Sequence, residues 1–371
     1  WPGICITNTV RYCANAIRYA NQKSGQVFGI VGKPDGYTAQ YGDVVIVVPQ
    51  ANPDTPKGGK MNVGVLGTFD SIFPFPFKGI PCLGNGITDE AMVYEKLMYR
   101  QAGEPMAYYA WLAESVTLDP EYKWIEFNLN KKARWADGKP VTAKDVEFTM
   151  HLLKEQSRPI FKNLLKIVER MEILNPRKIR IYVSPSPDPL NPERNIYSRE
   201  QILILCGIPV LPRHILEGKK LEDLAQEKIL GSGPYAIDSV QMGSSVTYKK
   251  RANYWGKNLP VSVGRYNFDT VKFTYFRDPN AMFEAMKAGQ IDVMLEEDAK
   301  RRNRGYNFDK YRKKEVVLSE LKASDTLPIK GFIFNTRHQY LANKLLRKAL
   351  ILAMDYDWIN KNLFHGRYLR T

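Results

Sequence analysis

Short β-prone runs and stretches of helical period alternate along this chain in no fixed order, and that irregular alternation is what most limits the architectures open to it. Apolar residues alternate with polar ones, or gather in brief runs, over 60–65, 124–129, 180–183, 235–240, 271–276, 291–294 and 331–335. Strands with one or two buried faces produce such patterns. Apolar spacing close to one helical turn recurs over 87–98, 142–155, 280–288 and 343–356. With 371 residues the chain is long enough for two domains or more. The mixture predicts a mixed α/β architecture with at least two lobes, and no internal repeat points to a solenoid.

The helix boundaries carry their own signals. Thr142 precedes Asp145 by three residues, the spacing of a capping box, in which each side chain satisfies a backbone N–H of the other. Val146, Met150 and Leu153 then form the stripe expected to be buried, and Arg158-Pro159 ends the helix, because proline disfavours helical backbone in the residue before it. Asp278-Pro279 opens the next helix and Gly289 closes it, as a cap, a first-turn proline and a terminal glycine do. Ile87, Ala91, Tyr94 and Met98 read as one helix face, and Leu346, Leu350 and Met354 as another.

Between these elements, Asn52-Pro-Asp-Thr-Pro-Lys-Gly-Gly59 is a loop leading into the first core strand, since proline fixes φ and glycine admits positive φ. Residues 67–86 hold seven prolines or glycines around Phe69, Phe73, Phe75 and Phe77, too broken for either regular element. The proline-rich 184–192 is expected at the surface. Residues 1–57 show no sustained helical period and only one strong apolar run, 44–48. They are expected to be an N-terminal extension.

Several functional classes find little support. No apolar run approaches the eighteen or so residues of a membrane span. The chain starts at Trp1 without the basic-then-apolar order of a signal peptide, so any export signal is expected to have been removed. Cys5, Cys13, Cys82 and Cys206 form no Cys-x-x-Cys pair, and His151, His214, His338 and His365 have no ligand-spaced neighbours. Neither a disulfide framework nor a metal site is expected. Gly231-Ser232-Gly233 lacks the rest of a dinucleotide loop. A net charge of +15 gives a field attractive to anions. The densest basic stretch, Lys300 to Lys314, reads first as a solvated face, although Tyr306, Phe308 and Tyr311 within it leave a nucleic-acid or membrane-surface binder as an alternative. Ser319-Glu-Leu-Lys322 fits the Ser-x-x-Lys pattern of a lysine-activated serine, which keeps a serine-type hydrolase as a second alternative. Glu296-Glu297-Asp298 reads as a solvated acidic group.

Several phrases, in order, resemble the peptide-type extracellular solute-binding proteins, family 5, of ABC transporters. They are Leu112-Ala-Glu-Ser115, Lys123-Trp-Ile-Glu-Phe-Asn-Leu129 and Ala133-Arg-Trp-Ala-Asp-Gly-Lys-Pro-Val-Thr-Ala-Lys-Asp-Val-Glu-Phe148. Gly231-Ser-Gly-Pro-Tyr235, Ala252-Asn-Tyr-Trp-Gly256, Phe283-Glu-Ala-Met-Lys-Ala-Gly-Gln-Ile-Asp292 and Phe334-Asn-Thr-Arg337 follow. Leu211-Pro-Arg-His214, Asp355-Tyr-Asp-Trp-Ile-Asn360 and Leu363-Phe-His-Gly-Arg-Tyr368 look most like the YejA subgroup.

The resemblance implies a periplasmic-binding-protein-like fold (type II, cluster C) of two lobes, with lobe two only partly present because the chain stops at Thr371. Residues 58–295 would form lobe one, including an inserted subdomain over about 76–185, and 296–371 the crossover and the beginning of lobe two. It further implies a periplasmic, non-enzymatic receptor with no cofactor and no nucleic-acid partner. Such a receptor captures oligopeptides or peptide-like compounds, such as microcin C or cell-wall peptides, and delivers them to permease subunits of an importer. The cleft would draw on Thr68, Phe69, Asp70 and Ser71, with Asp70 meeting a ligand amine. Tyr94, Trp135 and Tyr235 would be aromatic walls or, alternatively, core, and Asn335 and Arg337 would flank the crossover. A non-functional truncated remnant is the remaining alternative.

Overall fold

The computed structural model describes residues 54–85, 92–100, 107–188, 190–191, 193–319 and 332–366, and the backbone of Gly3–Ile6 and Val27–Ile30, which pair in parallel. The apolar run 44–48 and Lys322 lie outside the described residues. The first core strand, β1 (Lys60–Leu66), follows the predicted loop. Two short strands, Met98–Arg100 and Tyr108–Ala110, then pair antiparallel. They lead into β2 (Ala113–Leu118), β3 (Trp124–Leu129), the helix α1 (Ala143–Gln156), β4 (Val168–Asn175) and β5 (Lys178–Val183). These four strands form an antiparallel sheet in the order β2-β3-β5-β4. Ile125 and Phe127 lie opposite Ile181 and Ile179, and all four are fully buried. The capping box forms as expected: the Asp145 carboxylate accepts from the Thr142 N–H at 2.8 Å and from its hydroxyl at 2.7 Å. Val146, Met150 and Leu153 are buried in the core shared with this sheet.

The chain returns through β6 (Tyr235–Gln241), β7 (Ser245–Lys250), β8 (Thr270–Phe276), α2 (Pro279–Lys287) and the short β9 (Val293–Met294). Together with β1 these strands make a five-stranded sheet in the order β6-β7-β8-β1-β9. The β6/β7 and β7/β8 pairs are antiparallel, whereas β1 runs parallel to both β8 and β9. The crossover from β8 through α2 to β9 therefore straddles β1, and three parallel strands end at one edge. Asp278 caps α2 by accepting from the Asn280 N–H at 2.6 Å, and Gly289 holds φ at +77° just beyond it.

The glycines of the 231–235 motif serve close approach of two backbones. A Cβ on Gly231 would stand 1.9 Å from the Val93 carbonyl oxygen, and one on Gly233 2.4 Å from that of Met92. This explains why the predicted helix over 87–98 does not form in its described part. Residues 92–99 are buried without interruption. Leu97 N–H donates to Ile208 on one side, while Gly233 and Tyr235 N–H groups donate to Val93 and Met92 on the other. A segment covered on both sides behaves as a central strand, which apolar spacing alone cannot distinguish from a helix.

Beyond β9 four other expectations change. Glu296 is buried, its side chain 4% exposed: Arg301, on α3 (Ala299–Arg304), pairs with it at 2.7 Å, and the Tyr306 hydroxyl donates to it at 3.2 Å. The rings of Tyr306 and Phe308 pack on Phe283 of α2, and Tyr311 packs against both rather than lying open as a stacking platform. Residues 332–335 form no strand, and Phe332 and Ile333 are 82% and 99% exposed. The pattern is β-prone, but no ladder partner meets it among the described residues. The helix over 343–356 divides into α4 (Lys344–Leu352) and α5 (Tyr356–Asn362) because Asp355 caps the second, accepting from the Trp358 N–H at 2.9 Å. Leu346, Leu350 and Met354 share a face, yet each is more than a third exposed.

Candidate functional site

The candidate site lies where the three parallel strands end. Sheets of this kind place ligands in the crevice outside the carboxyl ends of their strands. The Gly67 N–H donates to the Phe276 carbonyl at 2.8 Å, tying the end of β1 to that of β8. The Thr68 hydroxyl donates to the Gly243 carbonyl at 3.1 Å and so anchors the loop to the β6–β7 turn. Backbone alternation then sorts the side chains: Thr68 is half-buried and Asp70 exposed, whereas Phe69 and Ser71 point inward and are buried.

The Phe69 ring packs 4.8 Å from that of Tyr275. The Ser71 hydroxyl donates to the Phe73 and Ala225 carbonyls at 2.6 and 3.1 Å. Both side chains thus belong to the floor of the loop. The Asp70 carboxylate accepts from the Ile80 N–H, and the Arg158 guanidinium lies within its field. Asp70 and Ser71 N–H groups donate to the Ile80 carbonyl, and Ser71 accepts from Cys82 N–H, so their backbone is already engaged. The N–H and C=O groups of Thr68 and Phe69 make no hydrogen bond among the described residues. Phe69 is 1% exposed and its backbone is covered, so Thr68 alone offers unbonded, partly accessible backbone at this edge, beside an exposed carboxylate.

Apolar side chains that sequence reasoning missed surround it: Leu66, Ile80, Met242 and Leu295 are 50%, 53%, 42% and 68% exposed. They sit at strand ends and in turns, where no periodicity marks them.

The other expected wall residues lie elsewhere. Tyr94 is fully buried among Phe73 and Phe75, and its hydroxyl donates to the Ile229 carbonyl at 2.7 Å. Trp135 is 1% exposed, beside His214. Tyr235 is 3% exposed and begins β6 at the opposite edge of the sheet, its hydroxyl donating to the Phe268 carbonyl. All three take the core alternative. Asn335 and Arg337 are exposed, with Asn335 Oδ1 accepting from the Arg337 N–H at 3.2 Å.

A buried polar cluster escaped sequence reasoning altogether. Glu95 is inaccessible to solvent, accepts from the Tyr254 hydroxyl, and accepts from Trp255 Nε1 at 2.9 Å. Burial lifts its carboxyl to about 7 against those stabilising donors. The Ala252–Gly256 phrase thereby supplies donors to a core acid. The described residues hold no cluster of three metal-ligating side chains and no helix long and apolar enough to cross a membrane.

A mixed sheet with parallel strand ends facing an open edge, a crossover helix and a second antiparallel sheet is the periplasmic-binding-protein fold of type II, which has two lobes. Residues 107–371 match the family model of bacterial extracellular solute-binding proteins, family 5 (middle region). The chain belongs to that family. It is 38% identical over 334 residues to the peptidoglycan-binding protein YepA of Agrobacterium fabrum, covering 87% of this chain and 53% of that protein. It is 34% identical over 353 residues to the uncharacterized protein YejA of Escherichia coli, covering 94% and 54%. Its fold matches that of the oligopeptide-binding protein AppA of Bacillus subtilis, solved with a nonapeptide. The TM-score there is 0.61 at 20% identity, covering 84% of this chain and 56% of that one. The chain spans about half the length of the curated relatives it matches.

Proposed function

We propose that this chain supplies one wall of a peptide-binding groove in a periplasmic, non-enzymatic receptor that hands oligopeptides or cell-wall peptides to the permease of an ABC importer. The observation that carries the reading is the unbonded, half-buried backbone of Thr68 at the ends of β1 and β8, next to the exposed Asp70 carboxylate. An extended peptide adds to such a backbone as a further strand, gaining affinity from main-chain hydrogen bonds whatever its side chains. Asp70 pairs with the ligand amine, and the exposed Leu66, Met242 and Leu295 tolerate varied side chains. The peptidoglycan-binding relative favours a cell-wall peptide among the candidates.

In this reading residues 58–295 are lobe one, with about 76–185 inserted, and 296–371 begin lobe two near Asn335 and Arg337. On the same reading, the apolar residues that α4 and α5 leave exposed pack against further residues of that lobe. Closure of one lobe on the other adds contacts made only in the closed state, so affinity depends on both. Calorimetry tests the reading: a muropeptide pool titrated into the chain gives saturable heat, and Asp70→Asn weakens it several-fold. Equal binding by the variant would remove Asp70, and absence of heat in a full-length relative as well would remove the function.

A further inference from the structure

At the edge of the five-stranded sheet opposite the peptide groove, Lys57, Lys250, Arg251, Lys257 and Arg265 surround a concavity of about 360 Å³ that no carboxylate lines. Strand register fixes the place. Lys60 pairs with Thr270, Thr270 with Lys249, and Tyr235 with Lys250, so the starts of β1, β6 and β8 and the end of β7 meet there. The seven residues of β1 separate it from Thr68 by roughly 23 Å at the usual strand rise.

The cations around this hollow are only partly satisfied. Lys250 pairs with Asp269 at 2.9 Å and donates to the Asn267 carbonyl at 3.3 Å, but Asp269 is 62% exposed, so solvent screens that pair. Arg251 is half-buried and donates to the neutral Gly233 and Trp135 carbonyls at 2.7 and 3.4 Å, which leaves further guanidinium N–H groups unused. Lys257 is exposed and makes no hydrogen bond or ion pair among the described residues. Ser262, in the wall, is 4% exposed, and its Oγ has no hydrogen-bond partner among the described residues. Tyr266, also in the wall, holds φ at +53°, a left-handed conformation that is unfavourable for a non-glycine residue. With the exposed Asp269 as the one acid paired to them, these cations still repel one another, and an anion with several acceptor oxygens relieves that repulsion better than a single carboxylate does.

We propose that this concavity binds a phosphate group, held by the Lys250 and Lys257 ammonium groups and the unused N–H groups of Arg251, with the Tyr266 ring beside it. The site is separate from the peptide groove and does not depend on the peptide reading.

The test uses the full 371-residue chain with two probes: inorganic phosphate by calorimetry, and sedimentation with phosphatidylglycerol-containing phosphatidylcholine vesicles. Each is run on wild type, Lys257→Glu, Lys250→Gln and, as a remote charge control, Lys348→Glu, with thermal unfolding confirming that every variant folds. Saturable phosphate binding that weakens tenfold or more in Lys257→Glu, several-fold in Lys250→Gln and little in Lys348→Glu supports a free phosphate compound. The same variant pattern with vesicles alone identifies the phosphate as a lipid headgroup. Failure of both probes to bind, or equal weakening by the remote control, overturns the proposal.

Discussion

Replacing Glu95 by glutamine should change how stability depends on pH, because the carboxyl is held in the core at about 7 instead of its ordinary 4.5. Burial is the main cause: it disfavours the charged form more than the Tyr254 and Trp255 donors favour it. Between pH 4.5 and 7 the folded chain keeps a proton that the unfolded chain has released. Stability therefore falls as pH rises through that window and stays lowered above it. The displacement corresponds to roughly 3 kcal/mol. Glutamine removes the titration but turns an amide N–H₂ towards one of the two donors, which costs about 1 kcal/mol. Urea unfolding from pH 4 to 8 should then show two curves that cross. Glu95→Gln is the less stable by about 1 kcal/mol at pH 4 and the more stable by about 2 kcal/mol at pH 8. Parallel curves across the whole range would refute the reasoning, since Glu95 would then not be the group that titrates.

Gly231→Ala should destabilise the chain by about 3 kcal/mol in the same assay, because its Cβ would stand 1.9 Å from the Val93 carbonyl oxygen. A near-neutral result would mean that the 92–93 and 231–233 backbones are not in contact. Arg301→Ala should cost about 3 kcal/mol by stranding the buried Glu296 carboxylate, and pairing Arg301→Met with Glu296→Leu should recover most of it. The double Leu346→Ser, Leu350→Ser variant should change unfolding by less than about 0.5 kcal/mol, because both side chains remain substantially exposed on α4; a large loss would show that they are covered.

What could be read from residues alone follows the physics of each element. The strands at 60–66 and 124–129, the Thr142–Asp145 cap and the Asp278-Pro279 start were legible because alternation and capping are local. Residues 92–99 were not, because burial on both sides erases the contrast between faces from which period is read. Asp355 hid a helix boundary inside a continuous apolar pattern, since its effect lies in the direction of one side chain. At the candidate site, Thr68 and Asp70 were legible as a loop leaving a strand. Period-two alternation already implies that Phe69 and Ser71 face the other way. Tyr235 could not be placed, because strand order decides which edge it occupies and no local pattern encodes strand order. Glu95 gave no signal at all: its partners come from 159 and 160 residues further along the chain.

Hydrogen exchange at the Thr68 amide, followed as a muropeptide pool is added, tests the groove most directly. This amide is unbonded and partly accessible in the free chain and should exchange quickly, then slow at least tenfold as a peptide strand pairs with it. Saturable peptide binding that leaves that amide exchanging at its original rate, with protection arising elsewhere, would place the ligand outside the ends of β1 and β8.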